Sequence, residues 1–484
     1  MNILKKITID ERKICFKILK DPKVNNFLKY KELNLHDAYY KILLYHFQKK
    51  KIKLIQKNFV EKKKTSKHII FNSLEEELII NNLLKYYKIK NIKLIKKIPI
   101  NKYISNFLFK CIYMFLEILL NKDSKKKFKT NILSYNRRSS DKFNHFSYLK
   151  KINLNKNYFN LNFFFVIKNF FLFKKNFLPF GLTKKADLGS INKLLIKNIF
   201  IKHLIELHDP QITTYFEGDS DISAIINEIS KQKKIRSICF QWGNVEKYPK
   251  NGFYKIKADY FFAWGEIYKN QILKINPWLK TIICGSPLLE TTTKKNKNVI
   301  FFLQKKNILL DTEFTDNSVE ELKELIIWSS KNIKNYKIII RPHPSGVSIF
   351  KIDEFINNPR ITIHNPKKFS LNESLSISEF FITIDSSSAI EACSSRLLPL
   401  WVNSKKRNNH EKNIEKIRSV QNIKLIGNLN EIKKTLFVLC KNKNKNKKEK
   451  ILNKISFIFK KNIKYKGKVS QNFIKKNIMK IYFN

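Results

Sequence analysis

The sequence from Tyr336 to Asn403 decides the fold, and three pieces of it carry the pattern: YKIIIRPHP (336–344), SEFFITIDSSSAIEAC (378–393) and LLPLWVN (397–403). Lys337 to Ile340 is a short β-branched run that stops at a proline turn holding Arg341 and His343. Glu379 to Ile384 is a second run of buried-strand type. It stops at Asp385, Ser386, Ser387 and Ser388, after which Ala389, Ile390, Ala392 and Cys393 recur at helical spacing. Strands alternating with helices predict a parallel sheet, and such sheets bind ligands beyond the carboxyl ends of their strands. Both polar clusters belong at that edge. A serine-rich helix start offers free backbone N–H groups, hydroxyls and the positive end of the helix dipole, which suits phosphate. Arg341 and His343 add donors to the same anion, so the pattern predicts a site for a nucleoside mono- or diphosphate.

Working outward, the same grammar continues on both sides. Upstream it predicts strands at Gln211–Phe216, Ile235–Phe240, Ala258–Trp264 and Thr281–Cys284, with helices at Ile222–Ser230 and Glu266–Ile275. Leu194, Leu195, Ile196, Ile199, Phe200, Ile201, Leu204 and Ile205 recur at helical spacing ahead of them. Thr291 to Asn298 contains no apolar residue and is the expected interdomain linker. Val299–Leu303, a helix near Val319–Ser329, Ile423–Ile426 and a helix over Leu429–Cys440 complete the second domain. The expected organisation is an N-terminal α/β domain over 1–290 with a basic helical extension to about 60, a nucleotide-binding domain over 299–440, and a basic tail over 441–484. Ser73-Leu74-Glu75-Glu76 has the form of a capping box and opens a helix between strands at His68–Phe71 and Asn91–Ile95. Asn121 to Ser140 is polar and basic and is expected to be a loop. Lys441 to Lys450, a Lys/Asn tract, is expected to be solvated. The tail beyond it either packs back across the domains or lies on a membrane as a basic amphipathic helix.

Length 484 allows two or three domains with sizeable cores. Lys and Arg number 96 against 39 Asp and Glu, a net charge of +57, which first suggests nucleic acid or an acidic membrane surface. However, lysine is accompanied throughout by Asn, Ile, Phe and Tyr, while Gly (10), Pro (12) and Met (3) are scarce. That is the drift of an AT-rich genome and is spread along the chain rather than gathered into one face. Aromatic residues sit in apolar runs instead of alternating with arginines, so no nucleic-acid partner is expected. The six cysteines form no C-x-x-C pair; Cys239, Cys284 and Cys393 lie in apolar runs and read as small core residues in a reducing cytoplasm. Phe107–Leu120 is too short to span a bilayer, and Tyr158–Phe180 is interrupted by Lys168, Lys174 and Lys175. The expectation is a cytoplasmic chain, peripheral at most on the inner membrane face.

The R-P-H-P turn at 341–344 followed by D-S-S-S-A-I-E-A at 385–392 resembles the C-terminal domain of GT-B glycosyltransferases, in particular bacterial surface- and capsular-polysaccharide enzymes of the sialyltransferase, polysialyltransferase and glycerophosphotransferase-like groups. The resemblance implies an α/β GT-B fold, two Rossmann-like parallel-sheet domains with a cleft between them. It further implies transfer of a sugar from a nucleotide-sugar co-substrate to a polysaccharide or lipid-linked glycan acceptor, without metal or other cofactor. It assigns phosphate to His343, Ser386, Ser387 and Ser388 with Arg341, and the ribose to Glu391. These enzymes carry an acidic-acidic-glycine motif in the first domain, and this chain has Phe216-Glu217-Gly218-Asp219. Glu217 and Asp219 are therefore the candidates for the base that takes the acceptor's proton. Asp219-Ser220-Asp221 also fits D-x-D, and equally fits the acidic start of a helix. Where relatives show Q-H-G, this chain has Gln241-Trp242-Gly243, so Gln241 and Gly243 are expected to line the cleft and no histidine is assigned there. Ala258-Asp259-Tyr260-Phe261-Phe262-Ala263-Trp264-Gly265 is similar to a signature of the same enzymes, and its plain reading is a buried strand and turn. Two alternatives stand beside the transferase: a nucleotide-sugar 2-epimerase of related fold, and a basic nucleic-acid-binding protein.

Overall fold

The computed structural model describes residues 3–96 with short breaks, 132–135, 151–154, much of 194–241, 256–289, 297–303, 316–344, 349–402, 419–441 and 444–483. Single positions within these ranges, Glu217, Asp219, Asp385 and Ser387 among them, lie outside the described residues. The apolar stretches at 107–120 and 158–180 and residues 242–255 also lie outside them.

The lysine-rich start is helical, as its pattern predicts: α1 (Ile3–Lys20), α2 (Pro22–Leu28), α3 (His36–Phe47) and α4 (Lys50–Val60), with a two-residue ladder between β1 (Lys29–Tyr30) and β2 (Leu33–Asn34). β3 (His68–Phe71) and β4 (Lys93–Lys96) pair in parallel around α5 (Leu74–Tyr86). Ser73 accepts from the Glu76 amide at 3.2 Å, and the Glu76 carboxylate accepts from the Asn72 amide at 2.8 Å, so the S-L-E-E pattern caps this helix. Asp10 of α1, 2% exposed, accepts from the hydroxyls of Tyr86 (2.8 Å) and Tyr87 (2.5 Å), tying the first helix to the end of α5.

The first large sheet contains β5 (Ile132–Tyr135), β6 (Lys151–Leu154), β7 (Ile212–Phe216), β8 (Arg236–Phe240), β9 (Tyr260–Ala263) and β10 (Lys280–Ile283), all parallel, in the order β10-β9-β8-β7-β5-β6. α6 (Asp221–Gln232) and α7 (Glu266–Ile275) are its described crossover helices. β5 corrects the expectation of a loop across 121–140. Its I-L-S-Y is fully buried between β6 and β7, but four residues inside a basic stretch give no periodicity to read.

The second large sheet is β11 (Asn298–Phe302), β12 (Lys337–Arg341), β13 (Ile361–Ile363), β14 (Phe380–Thr383), β15 (Leu398–Val402) and β18 (Ile426–Gly427), parallel throughout, in the order β13-β12-β11-β14-β15-β18. The short antiparallel pair β16 (Ser419–Val420) and β17 (Ile423–Lys424) precedes β18, so the single strand expected over Ile423–Ile426 is two. Its helices are α8 (Asp316–Asn332), α9 (Leu371–Ser376), α10 (Ser388–Ser394) and α11 (Leu429–Leu439). Every residue of β11, β14 and β15 is buried, which is why these strands read as unbroken apolar runs rather than as alternation. Two Rossmann-like parallel sheets in one α/β chain are the GT-B architecture that the resemblance implies.

Scarcity of glycine shows in how helices end. Lys88, Lys234 and Arg396 sit at φ +54°, +56° and +59° just past α5, α6 and α10. Around Lys234, Ile235 N–H donates to Ser230 C=O at 2.8 Å, and around Arg396, Leu397 N–H donates to Ala392 C=O at 3.0 Å. These are helix-ending motifs that usually carry glycine. With a long side chain each costs about 1–2 kcal/mol in the left-handed region, and the surrounding packing holds it.

The tail is not a solvated appendage. α12 (Lys445–Lys460) begins inside the Lys/Asn tract, and Lys448 bonds Glu379 at 2.8 Å and the Tyr336 hydroxyl at 3.0 Å, beneath the second sheet. A half-buried carboxylate thus accounts for one of those lysines. Arg396, past α10, reaches Glu449 of α12 at 2.9 Å. After a turn, α13 (Gly467–Phe483) crosses to the first sheet, where Ile474, Ile478 and Ile481 pack with Ile132, Ile212, Ile238 and Phe262. The turn is stitched to the sheet's carboxyl edge: Lys464 N–H donates to Trp264 C=O at 3.0 Å, and Ser286 N–H to Tyr465 C=O at 2.9 Å. No helix among the described residues is long and apolar enough to cross a membrane.

Candidate functional site

Strand order defines where the chemistry belongs. In the second sheet, the chain builds β11, β12 and β13 in one direction and then β14, β15 and β18 in the other. The reversal lies between β11 and β14, and a doubly wound sheet opens its ligand crevice at such a reversal. The loop leaving β14 is Ile384 to Ser388, the serine cluster. Two places away from β14, across β11, β12 ends at Arg341 and delivers His343 to the same edge. In the first sheet the reversal lies between β5 and β7, and the loop leaving β7 is Glu217-Gly218-Asp219. The two acidic side chains are outside the described residues, but the strand end at Phe216 and the turn at Gly218 are within them.

Gly218 adopts φ +66°, and its N–H donates back to Phe216 C=O at 2.8 Å. A Cβ there would meet Ile256 at 3.2 Å and Cys239 at 3.3 Å. The turn therefore needs glycine. The ammonium of Lys41, 6% exposed and carried on α3, donates to the Gly218 carbonyl, so the N-terminal helices reach the acidic loop directly. Ser220 caps α6 by accepting from Ser223 N–H at 3.1 Å, and Asp221 pairs with Lys197. Asp221 is thus placed at a helix start, while Glu217 and Asp219 precede the cap.

At the second sheet's edge, Arg341 is only 6% exposed. Its Nη1 donates to the Ser374 hydroxyl at 2.8 Å and to Phe369 C=O at 3.1 Å. Burial lowers its pKa, and the carboxylates of Glu373 and Glu391 pull it back up. The structure thus brings Arg341 and Glu391 into one electrostatic neighbourhood, with the guanidinium's Nη1 committed to the turn before α9. That turn is itself held by a reciprocal cap in which Ser370 and Glu373 bond each other's backbone. His343 is half-exposed two residues beyond Arg341. The Ser386 hydroxyl accepts from Ser388 N–H at 3.3 Å, its carbonyl accepts from Ala389 N–H at 3.0 Å, and Ser388 begins α10. Ser387 lies outside the described residues.

His364, just past the end of β13 at the same edge, belongs to this cluster. It is 5% exposed, stacks on Phe369 at 4.2 Å with the rings 9° apart, and its Nδ1 lies 3.1 Å from the Ser374 hydroxyl. Burial and then the Arg341 charge hold its pKa below the usual histidine value, against a smaller upward pull from Glu373. A histidine depressed in the folded state binds its proton earlier when unfolded. Acidification from about pH 6.5 therefore removes stability at up to about 1.4 kcal/mol per pH unit until the folded histidine titrates, with no contribution above that range. Chemical denaturation at a series of pH values is expected to show this slope as the pH falls below about 6.5 in the wild type and a flatter dependence in His364→Gln.

Gln241 is placed differently from the glycosyltransferase pattern's suggestion of a cleft-lining side chain. It is 4% exposed, its Oε1 accepts from Trp264 N–H at 2.8 Å, and its own N–H donates to Phe262 C=O at 3.0 Å. It clamps the ends of β8 and β9. Gly243 lies outside the described residues. Asp259 accepts from Ser237 N–H and Oγ at 2.8 and 2.9 Å, which gives the A-D-Y-F-F-A-W-G block a role in strand register. The five described cysteines are all buried, and burial pushes the Cys440 thiol up to about 12.

No family model matches the chain, and no curated protein matches it. Among solved structures it is similar to a UDP-N-acetylglucosamine 2-epimerase at 10% identity and TM-score 0.46, covering 74% of this chain and 97% of that one. It is similar to the UDP-GlcNAc 2-epimerase from Neisseria meningitidis bound to UDP-GlcNAc at 12% identity and TM-score 0.45, covering 72% and 100%. It is similar to the wall teichoic acid polymerase TagF at 13% identity and TM-score 0.44, covering 80% and 98%.

Proposed function

We propose that this chain is a glycosyltransferase that moves a sugar from a nucleotide-sugar donor to a surface polysaccharide or lipid-linked glycan, independently of metal. The observation that carries the proposal is topological: the acidic loop leaving β7 and the serine loop leaving β14 both open at the point where their sheet reverses strand order. In this reading the donor's phosphates rest on the Ser386–Ser388 loop and the His343 imidazole, and Glu391 accepts from the ribose hydroxyls. Arg341, its Nη1 bonded to the turn before α9, contributes positive charge from below and fixes that turn. Phosphate bound by backbone N–H groups and an imidazole uses donors set in place before binding, with no reorganisation at the moment of reaction. On the first sheet, Glu217 or Asp219 takes the proton of the acceptor hydroxyl as the glycosidic bond forms and the nucleotide leaves.

Thermal denaturation with a panel of CMP, CDP, UMP, UDP, GDP and TDP tests the donor half. A nucleotide at a hundred times its Kd stabilises by about 2.7 kcal/mol, roughly 5–10 °C in a domain of this size. One nucleotide is expected to raise the wild-type melting temperature and to leave His343→Ala nearly unmoved, with chelator making no difference. The proposal falls if no nucleotide stabilises the wild type, or if His343→Ala responds as the wild type does. Retention of single-stranded RNA in place of nucleotide would replace it with the basic nucleic-acid-binding reading. An isomerised sugar appearing without transfer would replace it with epimerisation.

A further inference from the structure

The last helix is apolar on two opposite sides. Its inward side, Ser470, Ile474, Ile478 and Ile481, is buried against the first sheet. At about 100° per residue, Val469, Phe473, Lys476, Lys480 and Phe483 share the other side. Val469 is 58% exposed, Phe473 37% and Phe483 74%, and both lysines are exposed. Lysine alone distinguishes nothing in this chain, because it is abundant everywhere. Three bulky apolar side chains in one lysine stripe, on the outside of a helix whose inside is already satisfied, are not explained by composition drift. The preceding helix adds Phe457, 74% exposed, with exposed Lys454 and Lys460 near it in sequence. Residues 441–484 carry fifteen lysines and one acidic residue, Glu449. Glu449 is already paired with Arg396.

We propose that the outward face of α13 docks the protein on an anionic lipid surface. Phe473, Phe483 and Val469 enter the boundary between headgroups and acyl chains, and Lys476 and Lys480 meet lipid phosphates. The charge of this face argues against a second copy of the chain, which would set the same lysines against each other. Against RNA stands the stripe's content: a valine among the aromatics and lysine in place of the arginine that stacks on bases. The inference does not depend on the transferase reading, and its test needs no substrate.

Full-length protein is incubated with vesicles of phosphatidylcholine alone and of an equimolar phosphatidylcholine–phosphatidylglycerol mixture, and the vesicles are sedimented. Wild type is expected with the mixed vesicles and not with the neutral ones. The triple variant Val469→Ser, Phe473→Ser, Phe483→Ser, which keeps every charge, is expected to lose at least about tenfold in partition. The pair Lys476→Gln, Lys480→Gln is expected to lose about tenfold and to lessen the salt dependence. Should the triple variant melt below the wild type, the lysine pair, whose exposed side chains leave the core untouched, decides the matter. The proposal is overturned if mixed vesicles fail to retain the wild type, or if both variants bind as the wild type does. It is also overturned if the triple variant abolishes self-association in sedimentation velocity or binding of single-stranded RNA while vesicle binding persists.

Discussion

Replacing whichever of Glu217 and Asp219 is the base, by Gln or Asn, is expected to slow sugar transfer by about 10²–10⁴-fold, the usual contribution of a positioned proton acceptor. The acceptor's hydroxyl is a poor nucleophile until its proton leaves, and a carboxylate beside it can accept that proton as the new bond forms. The structure describes the strand that leads into this loop and the turn at Gly218. β7 lies inside the sheet between β8 and β5, Gly218 closes a turn that a Cβ would crowd, and the buried Lys41 ammonium holds the Gly218 carbonyl from the N-terminal helices. The effect belongs in kcat, with nucleotide affinity nearly unchanged, since the donor phosphate is assigned to the other sheet. The measurement is release of nucleotide from the nucleotide-sugar that the thermal panel selects, with acceptor present, for Glu217→Gln and Asp219→Asn separately. If both variants stay within a few fold of wild type, this loop does not supply the base, even where nucleotide binding at His343 stands.

The second large effect is structural. Gly285→Ala is expected to destabilise the protein by about 3 kcal/mol. Gly285 follows β10 at φ +77°, and a Cβ there would lie 2.1 Å from the Tyr465 carbonyl oxygen and 2.6 Å from its carbon. Two costs combine: about 1–2 kcal/mol for an L-residue in the left-handed region and about 1–3 kcal/mol for overpacking against backbone that cannot rotate away. The atoms it would displace belong to the turn between α12 and α13, the turn that Ser286 N–H holds at 2.9 Å. Gly265→Ala separates the two costs. Gly265 has extended backbone at φ −164°, so only the contact with Lys461 and Asn462 carbonyl oxygens at 2.3 and 2.4 Å opposes a side chain there. Denaturant midpoints for both variants, together with proteolytic cleavage after Lys460, Lys461 or Lys464, check this. A loss below about 0.5 kcal/mol at Gly285, with no gain in cleavage, means that the turn is not seated against the sheet in solution.

What the amino-acid sequence determined by itself was the β/α grammar and the ends of its strands. Phe216, Phe240, Ala263, Phe302, Arg341 and Thr383 close strands within one or two residues of where the apolar runs stop. The reason is physical: parallel strands covered on both faces must be continuously apolar, and their ends are marked by Gly, Pro, Ser or acid. Helix starts at Ser73 and Ser220 were equally local, because a cap and the amide it bonds lie three residues apart.

Tertiary structure decided whatever depends on pairings distant in sequence. β5 is a strand because β6 and β7 flank it, not because I-L-S-Y says so. Strand order, and with it the two reversals that select the acidic and serine loops among many, is set by partners tens of residues away. Arg341 reads as an anion ligand in R-P-H-P, yet Ser374 and Phe369, about thirty residues on, take its Nη1. His364 owes its depressed basicity first to its own burial and then to the same buried charge. The tract Lys441–Lys450 reads as solvated, and Lys441, Lys445 and Lys450 are exposed, but Lys448 pairs with Glu379 through a contact that no local motif announces. A side chain's type is local, but its partner is fixed only when burial makes leaving a polar group unpaired costlier than ordering the chain around it.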